Sequence, residues 1–270
     1  MELLQLLHNK QYKKEARYLC FFFFTSILSS LSHSNELTFL MGKQFFQYKE
    51  YSQSGMLLDA EEGWLDHLAL QFDAQFYSDH IIHAAASFAS ATIPYEGYTQ
   101  GGKTHSTETQ ETLTTLNLEY YYAPLINSSN LLGIGLHQTE WLREIEPNNG
   151  VLGLDEKYTW NAVSINYLFR YQSWQLKSSL SHLYSGNINV DLTEVGKGIV
   201  NVPLENGYQS ELALSYKKQI ISNVSASIIV SGLWRYFPES KAVIAGNSQI
   251  SEPQSELFQT GIDLGISYLF

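Results

Sequence analysis

Over residues 258–270 the chain changes character at every step. Phe258, Thr260, Ile262, Leu264, Ile266, Tyr268 and Phe270 share one side of an extended strand, and Gln259, Gly261, Asp263, Gly265, Ser267 and Leu269 share the other. Side chains of a strand project alternately to opposite faces, so this segment has one apolar face and one that is small or polar. The same period recurs upstream. Leu68, Leu70, Phe72, Ala74 and Phe76 alternate with Ala69, Gln71, Asp73 and Gln75. Leu116, Leu118, Tyr120 and Tyr122 alternate with Asn117, Glu119 and Tyr121. Val163, Ile165, Tyr167, Phe169 and Tyr171 alternate with Ser164, Asn166, Leu168 and Arg170. Trp174, Leu176, Leu180, Leu212, Leu214, Ile228 and Val230 continue the pattern. No segment keeps a helical period.

After Leu31 no apolar run is long enough for a membrane-spanning helix, which needs about 20 residues. Lipid offers backbone groups no hydrogen-bond partner, so a chain of this kind crosses a membrane only as a closed sheet. In such a barrel the apolar face looks outward to lipid and the polar face inward to the lumen. The links between runs alternate in length. Short ones fall at 78–80, 124–130, 172–173 and 220–222, and longer polar ones at 52–63, 96–110, 146–157, 186–207 and 239–253. That is the pattern of periplasmic turns and extracellular loops. The runs number about ten, within a range of 8–12, and predict an all-β, closed, antiparallel up-and-down transmembrane barrel. The first strand lies within 36–51, with an unclear register around 43–46 that suggests a bulge.

Composition agrees. Charged residues are 16% of the 270, against about 25% in soluble proteins. Aromatics are 14%, with 18 Tyr, which suits interfacial girdles. A soluble periplasmic β-sandwich would share the period, but not the scarcity of charge or the alternation of link length. The net charge of -11 and the lack of a basic stripe exclude nucleic acid as a partner.

Lys10, Lys13, Lys14 and Arg17 precede an apolar run that contains Phe21, Phe22, Phe23 and Phe24, and Ser32 and Ser34 follow. This is the layout of a cleaved signal peptide over 1–34, leaving 35–270 as the barrel domain. The single cysteine, Cys20, lies in the part to be removed.

The last strand resembles the terminal strand of Gram-negative outer-membrane β-barrel proteins. In that family a final Phe follows apolar residues at alternate positions, and the barrel-assembly machinery recognises the strand. Ile262, Leu264, Ile266, Tyr268 and Phe270 match position by position. The resemblance implies an outer-membrane address, with lipid, lipopolysaccharide and the assembly machinery as partners. A single chain that closes its own barrel is expected to be a monomer.

Gly97, four residues, then Gly102-Lys103-Thr104 satisfies a P-loop pattern. The chemistry needs a helix that opens on the phosphates, and here a Thr-rich strand follows. The stretch reads as a Gly-rich outer loop. No zinc-protease, serine-hydrolase or EF-hand spacing is present, and neither a metal nor a cofactor is expected. The carboxylates Glu61, Glu62, Glu140, Glu144, Glu146, Asp155, Glu156, Asp191 and Glu194 fall in the expected outer loops, as a solvated acidic surface. On the lumen face Asp73, Glu119, Glu211 and Asp263 stand against Arg170, Lys177, Lys217 and Arg235. Buried charges must be paired, so these eight predict a salt-bridge network that fills a narrow barrel.

The leading functional expectation is a non-enzymatic surface scaffold or binding protein with a side-chain-filled lumen. The alternatives are a narrow, porin-like channel for small solutes, and an enzyme such as an omptin-like protease or a lipid A-modifying barrel. The strand count is similar to that of the omptins, which place Asp-x-Asp and Asp-x-His pairs near the outer rim. Asp66-His67 is adjacent rather than spaced by one, so no catalytic residue carries over.

Overall fold

The computed structural model describes residues 34–77, 79–98, 102–123, 129–246 and 248–270. The expected signal segment with Cys20, parts of the turns at 78 and 124–128, and residues 99–101 of the glycine-rich stretch lie outside the described residues.

The strands are β1 (Ser34–Tyr51), β2 (Leu57–Tyr77), β3 (His80–Tyr98), β4 (Thr104–Tyr122), β5 (Asn130–Ile145), β6 (Leu154–Tyr171), β7 (Trp174–Leu192), β8 (Gly198–Pro203), β9 (Gly207–Ile221), β10 (Val224–Phe237), β11 (Val243–Ala245), β12 (Ser248–Ile250) and β13 (Gln254–Leu269). Ten of them close an antiparallel barrel. Consecutive hairpins run from β1 to β7, then β9, β10 and β13, and β13 pairs with β1. That seam keeps one register from Glu36 opposite Leu269 to Tyr51 opposite Gln254. The bulge expected at 43–46 is absent; the irregularity in β1 falls at Glu50–Tyr51, against β2. β8 pairs with the outer part of β7 alone, and β11 and β12 form a small hairpin of their own.

The outward faces carry an apolar belt. Leu37, Phe39, Met41, Leu68, Leu70, Leu118, Ile134, Ile165, Leu214, Ile262, Leu264 and Ile266 are all exposed. This inversion of the soluble pattern is the lipid-facing surface of a transmembrane barrel. Aromatic rings gather at its edges. Trp174 packs on Tyr216 at 4.9 Å near the short turns, and Phe45 meets Trp64 edge-on at 5.6 Å toward the other end.

The wall does not stop where the belt stops. On β5 the outward residues are apolar through Leu136 and then become Gln138, Glu140, Leu142 and Glu144, polar but for the one leucine; on β6, Val163 gives way to Asn161, Thr159, Lys157 and Asp155. Lys157 and Glu140 pair there at 2.8 Å. Several turns' worth of strand thus stand beyond the lipid, wet on the outside. The long links expected from sequence are correspondingly shorter. β1 and β2 are joined by 52–56, β3 and β4 by 99–103, and β5 and β6 by 146–153. Gly97 and Thr104 lie on the two arms of a β-hairpin, and a strand begins at Thr104 where a phosphate site needs a helix.

Candidate functional site

The interior is divided by height. Toward the short turns it is polar and hollow. Two cavities of about 230 and 470 Å³ share Gln71, His83, Gln175, Lys177, Ser215 and Ile229, and together form one chamber. Small inward residues such as Ala69, Ala85, Ser87, Ala213 and Ser231 leave this room.

The eight expected lumen charges all face inward here, though not as one network. Lys177 donates to Glu119 at 2.8 Å. Two of the other acids take histidines as partners, His83 for Asp73 at 2.9 Å and His67 for Asp263 at 2.7 Å. Lys217 pairs with Glu36. Arg235 donates twice to Gln209 and lies 4.3 Å over the Trp160 ring. Glu211 and Arg170 line the two cavities, Glu211 in the inner and Arg170 in the one nearer the turns. Asp66 points outward to Lys43 at 2.7 Å while His67 points inward, so these neighbours do not act together.

Above the chamber the lumen is shut. Phe46, Tyr48, Leu65, Ile93, Leu113, Trp141, Tyr158, Trp160, Ile188, Phe237 and Leu257 form one buried cluster across the barrel. Trp141 stacks on Tyr158 at 4.4 Å and takes Tyr48 and Phe46 edge-on. These rings come from four strands at a height where the outer wall is already polar.

On this floor sits a buried ionic knot. Arg143 of β5 is fully enclosed. Its Nε donates to Glu61 at 2.7 Å, one terminal nitrogen to Glu50 at 3.1 Å and Glu156 at 2.7 Å, and the other to Asp59 at 2.7 Å. The Tyr48 ring lies 4.9 Å from its guanidinium. Arginine suits the place because its planar fork offers five fixed donors and stays charged. Burial alone would lower its pKa, but Glu61, Asp59, Glu156 and Glu50 raise it well above the ordinary value.

One cation faces more carboxyls than it can balance. Glu111 of β4 raises the charge density beside Glu61 and accepts from Trp141 Nε1 and, at 3.1 Å, from Thr109. Glu252, from the loop before β13, reaches Tyr48 and Tyr158. A charged group in a dry site must be neutralised or lose its charge. Burial accordingly raises the pKa of Glu50 and Glu61 well above the usual carboxylate range, raises that of Glu111, and pushes Glu252 up to about 8.

The expectation of a solvated acidic loop surface is corrected at this point. Glu61 and Glu156 are buried on β2 and β6, and Glu62, Glu140, Glu144, Asp155 and Asp191 lie on strands; Glu146 and Glu194 alone lie between them. Arg143, Glu50, Asp59, Glu111 and Glu252 went unmarked in sequence. One signal existed: inward parity carried on from Leu131 through His137 reaches Arg143. Among the described residues, no group of three or more His, Cys, Asp or Glu has the geometry to hold a metal ion.

No family model and no curated protein matches the sequence. Solved structures do. The outer membrane protease OmpT of Escherichia coli superposes with a TM-score of 0.56 at 12% identity, over 89% of this chain and 98% of that one. The fold is that of an outer-membrane β-barrel. The translocator domain of autotransporter NalP from Neisseria meningitidis aligns with a TM-score of 0.49 at 9% identity, over 96% of this chain and 95% of that one.

Proposed function

We propose that this chain is an integral protein of a Gram-negative outer membrane that does not conduct, and that it presents its outer strands and loops as a binding surface. The observation that carries this reading is the closed upper lumen: a layer of rings across the barrel with the Arg143 knot above it. The hollow lower chamber gives solutes an entrance but no exit. The apolar belt, the aromatic edges and the outward run Ile262, Leu264, Ile266, Tyr268 and Phe270 support the membrane address and its recognition by the assembly machinery. The inward charges below the floor act as struts that stiffen the wall, Lys177–Glu119 at 2.8 Å among them.

An omptin-like hydrolysis has fold likeness as its support, and fold is a weak warrant for activity. The inward acids Glu50, Asp59, Glu61 and Glu156 are enclosed and tied to Arg143 rather than lining an open cleft. The test is conductance of the refolded protein in a planar lipid bilayer. The expected result is no stepwise current from the native chain, with current from a Phe46→Ala, Trp141→Ala double variant that thins the floor. Steady unitary currents from the native chain overturn the scaffold reading in favour of a channel.

A further inference from the structure

The loop 238–253 between β10 and β13 carries the β11–β12 hairpin and ends on the one acid of the knot that belongs to no barrel strand. Ser240 and Glu252 close the loop's base, with Ser240 N–H donating to the Glu252 carbonyl at 2.9 Å and Glu252 N–H to Ser240 Oγ at 2.8 Å. From there the Glu252 side chain turns into the barrel and is buried. Its Oε1 stands 3.1 Å from the Tyr48 hydroxyl and 2.8 Å from the Tyr158 hydroxyl.

Counting protons decides what Glu252 is. Tyr48 also lies 2.8 Å from Glu50 Oε1, and Tyr158 lies 3.3 Å from Glu156 Oε2. The two hydroxyls stand 3.4 Å from each other. Each phenol has a single hydrogen to donate. Two hydrogens leave two of the four phenol–carboxylate contacts without a donor, and a proton on Glu252 fills one of them. Glu50 and Glu156 have Arg143 as counter-ion; Glu252 has none within bonding distance.

We propose that Glu252 enters the barrel as a neutral acid and serves as the latch of loop 238–253, closed while protonated and released when it ionises. The facing groups set the direction. Tyr48 and Glu50 approach from β1, Arg143 from β5, and Glu156 and Tyr158 from β6, with Asp59 of β2 beyond the guanidinium. Burial takes Glu252 out of water and Glu156 repels its charge, against the attraction of Arg143, so an ionised Glu252 is disfavoured. Within its own loop, Glu239 and Lys241 turn away, to Gln53 at 2.9 Å and Glu205 at 3.0 Å. Those exposed contacts are worth little by themselves. Release frees the Tyr48 and Tyr158 hydroxyls and the base of the loop, while Val243 and Ile250 of the hairpin pack on Val200 and Val202 of β8.

Closed, the latch holds its proton up to about pH 8; an open, hydrated carboxyl lets go near the ordinary 4.5. Between these limits the closed-to-open ratio falls about tenfold per pH unit. The experiment is hydrogen–deuterium exchange of residues 238–253 in the detergent-folded full chain from pH 5 to 9, corrected for intrinsic exchange. The expected result is opening that rises across this window in the native chain, and a flat, closed profile in Glu252→Gln, whose amide stays neutral. Glu239→Gln should keep the native slope. A flat native profile, or a native slope retained in Glu252→Gln, overturns the latch. The native profile alone decides the matter if the Gln variant does not fold.

Discussion

At the scale of single residues, the upper lumen depends on Arg143. Removing one partner of a buried ion pair leaves charges uncompensated and costs about 3–5 kcal/mol. Arg143→Met strands Glu50, Asp59, Glu61 and Glu156 together, so we expect a loss at the upper end of that range, read as a lower urea midpoint for loss of the compact, SDS-resistant form. Arg143→Lys should recover little, because a point charge cannot replace three nitrogens that each hold an acid in a different direction. Equal midpoints for native and Met proteins would show the knot to be energetically idle.

At the scale of elements, the lesson is where alternation can be read and where it fades. Across β4, β6, β7, β9, β10 and β13 the lipid belt makes outward residues apolar and inward ones polar, and the sequence displays this directly. Beyond the belt both faces are polar. Thr104–Gln110 and 59–63 therefore look like loops although they are strand, and Glu61 and Glu156 look solvated although they are buried. The knot was hidden for a second reason. Arg143 meets Glu61 across 82 positions and Glu50 across 93, separations that no local pattern records.

The seam between β1 and β13 offers a matched test at this scale. Gly42 faces inward, where a Cβ would run into the Ile262 carbonyl and the Asp263 carboxylate, with Asp263 Cα at 2.8 Å. Gly232 faces outward, with Thr260 Cγ2 at 4.0 Å as its nearest neighbour. We expect Gly42→Ala to cost about 1–3 kcal/mol through overpacking and to reduce the fast-migrating unheated band on SDS gels. Gly232→Ala should migrate like the native chain. The reverse ranking would mean that the seam is looser than its register implies.

At the scale of the whole molecule, the acid surplus predicts an unusual pH dependence. Glu50, Glu61, Glu111 and Glu252 all hold protons more tightly folded than unfolded. Such groups contribute stability that is fully present below the unfolded value and is lost as pH rises through the folded one. For Glu252 the window runs from 4.5 to about 8. The temperature at which the unheated band disappears should therefore be higher at pH 5 than at pH 9, and a higher value at pH 9 would contradict the assignment of protons to the knot.

The pairing of β1 with β13 also says something about time. Asn35 and Phe270 exchange backbone hydrogen bonds at 3.1 and 2.9 Å, although 234 residues separate them in sequence. Every other neighbouring pair in the wall can zip locally, hairpin by hairpin, as the chain emerges. This pair waits until both β1 and β13 have been made. Until then the two outermost strands are raw edges that would stick to any other strand they met. A barrel built this way closes late, when its first and last strands meet, because a contact of such long sequence separation is slow to form.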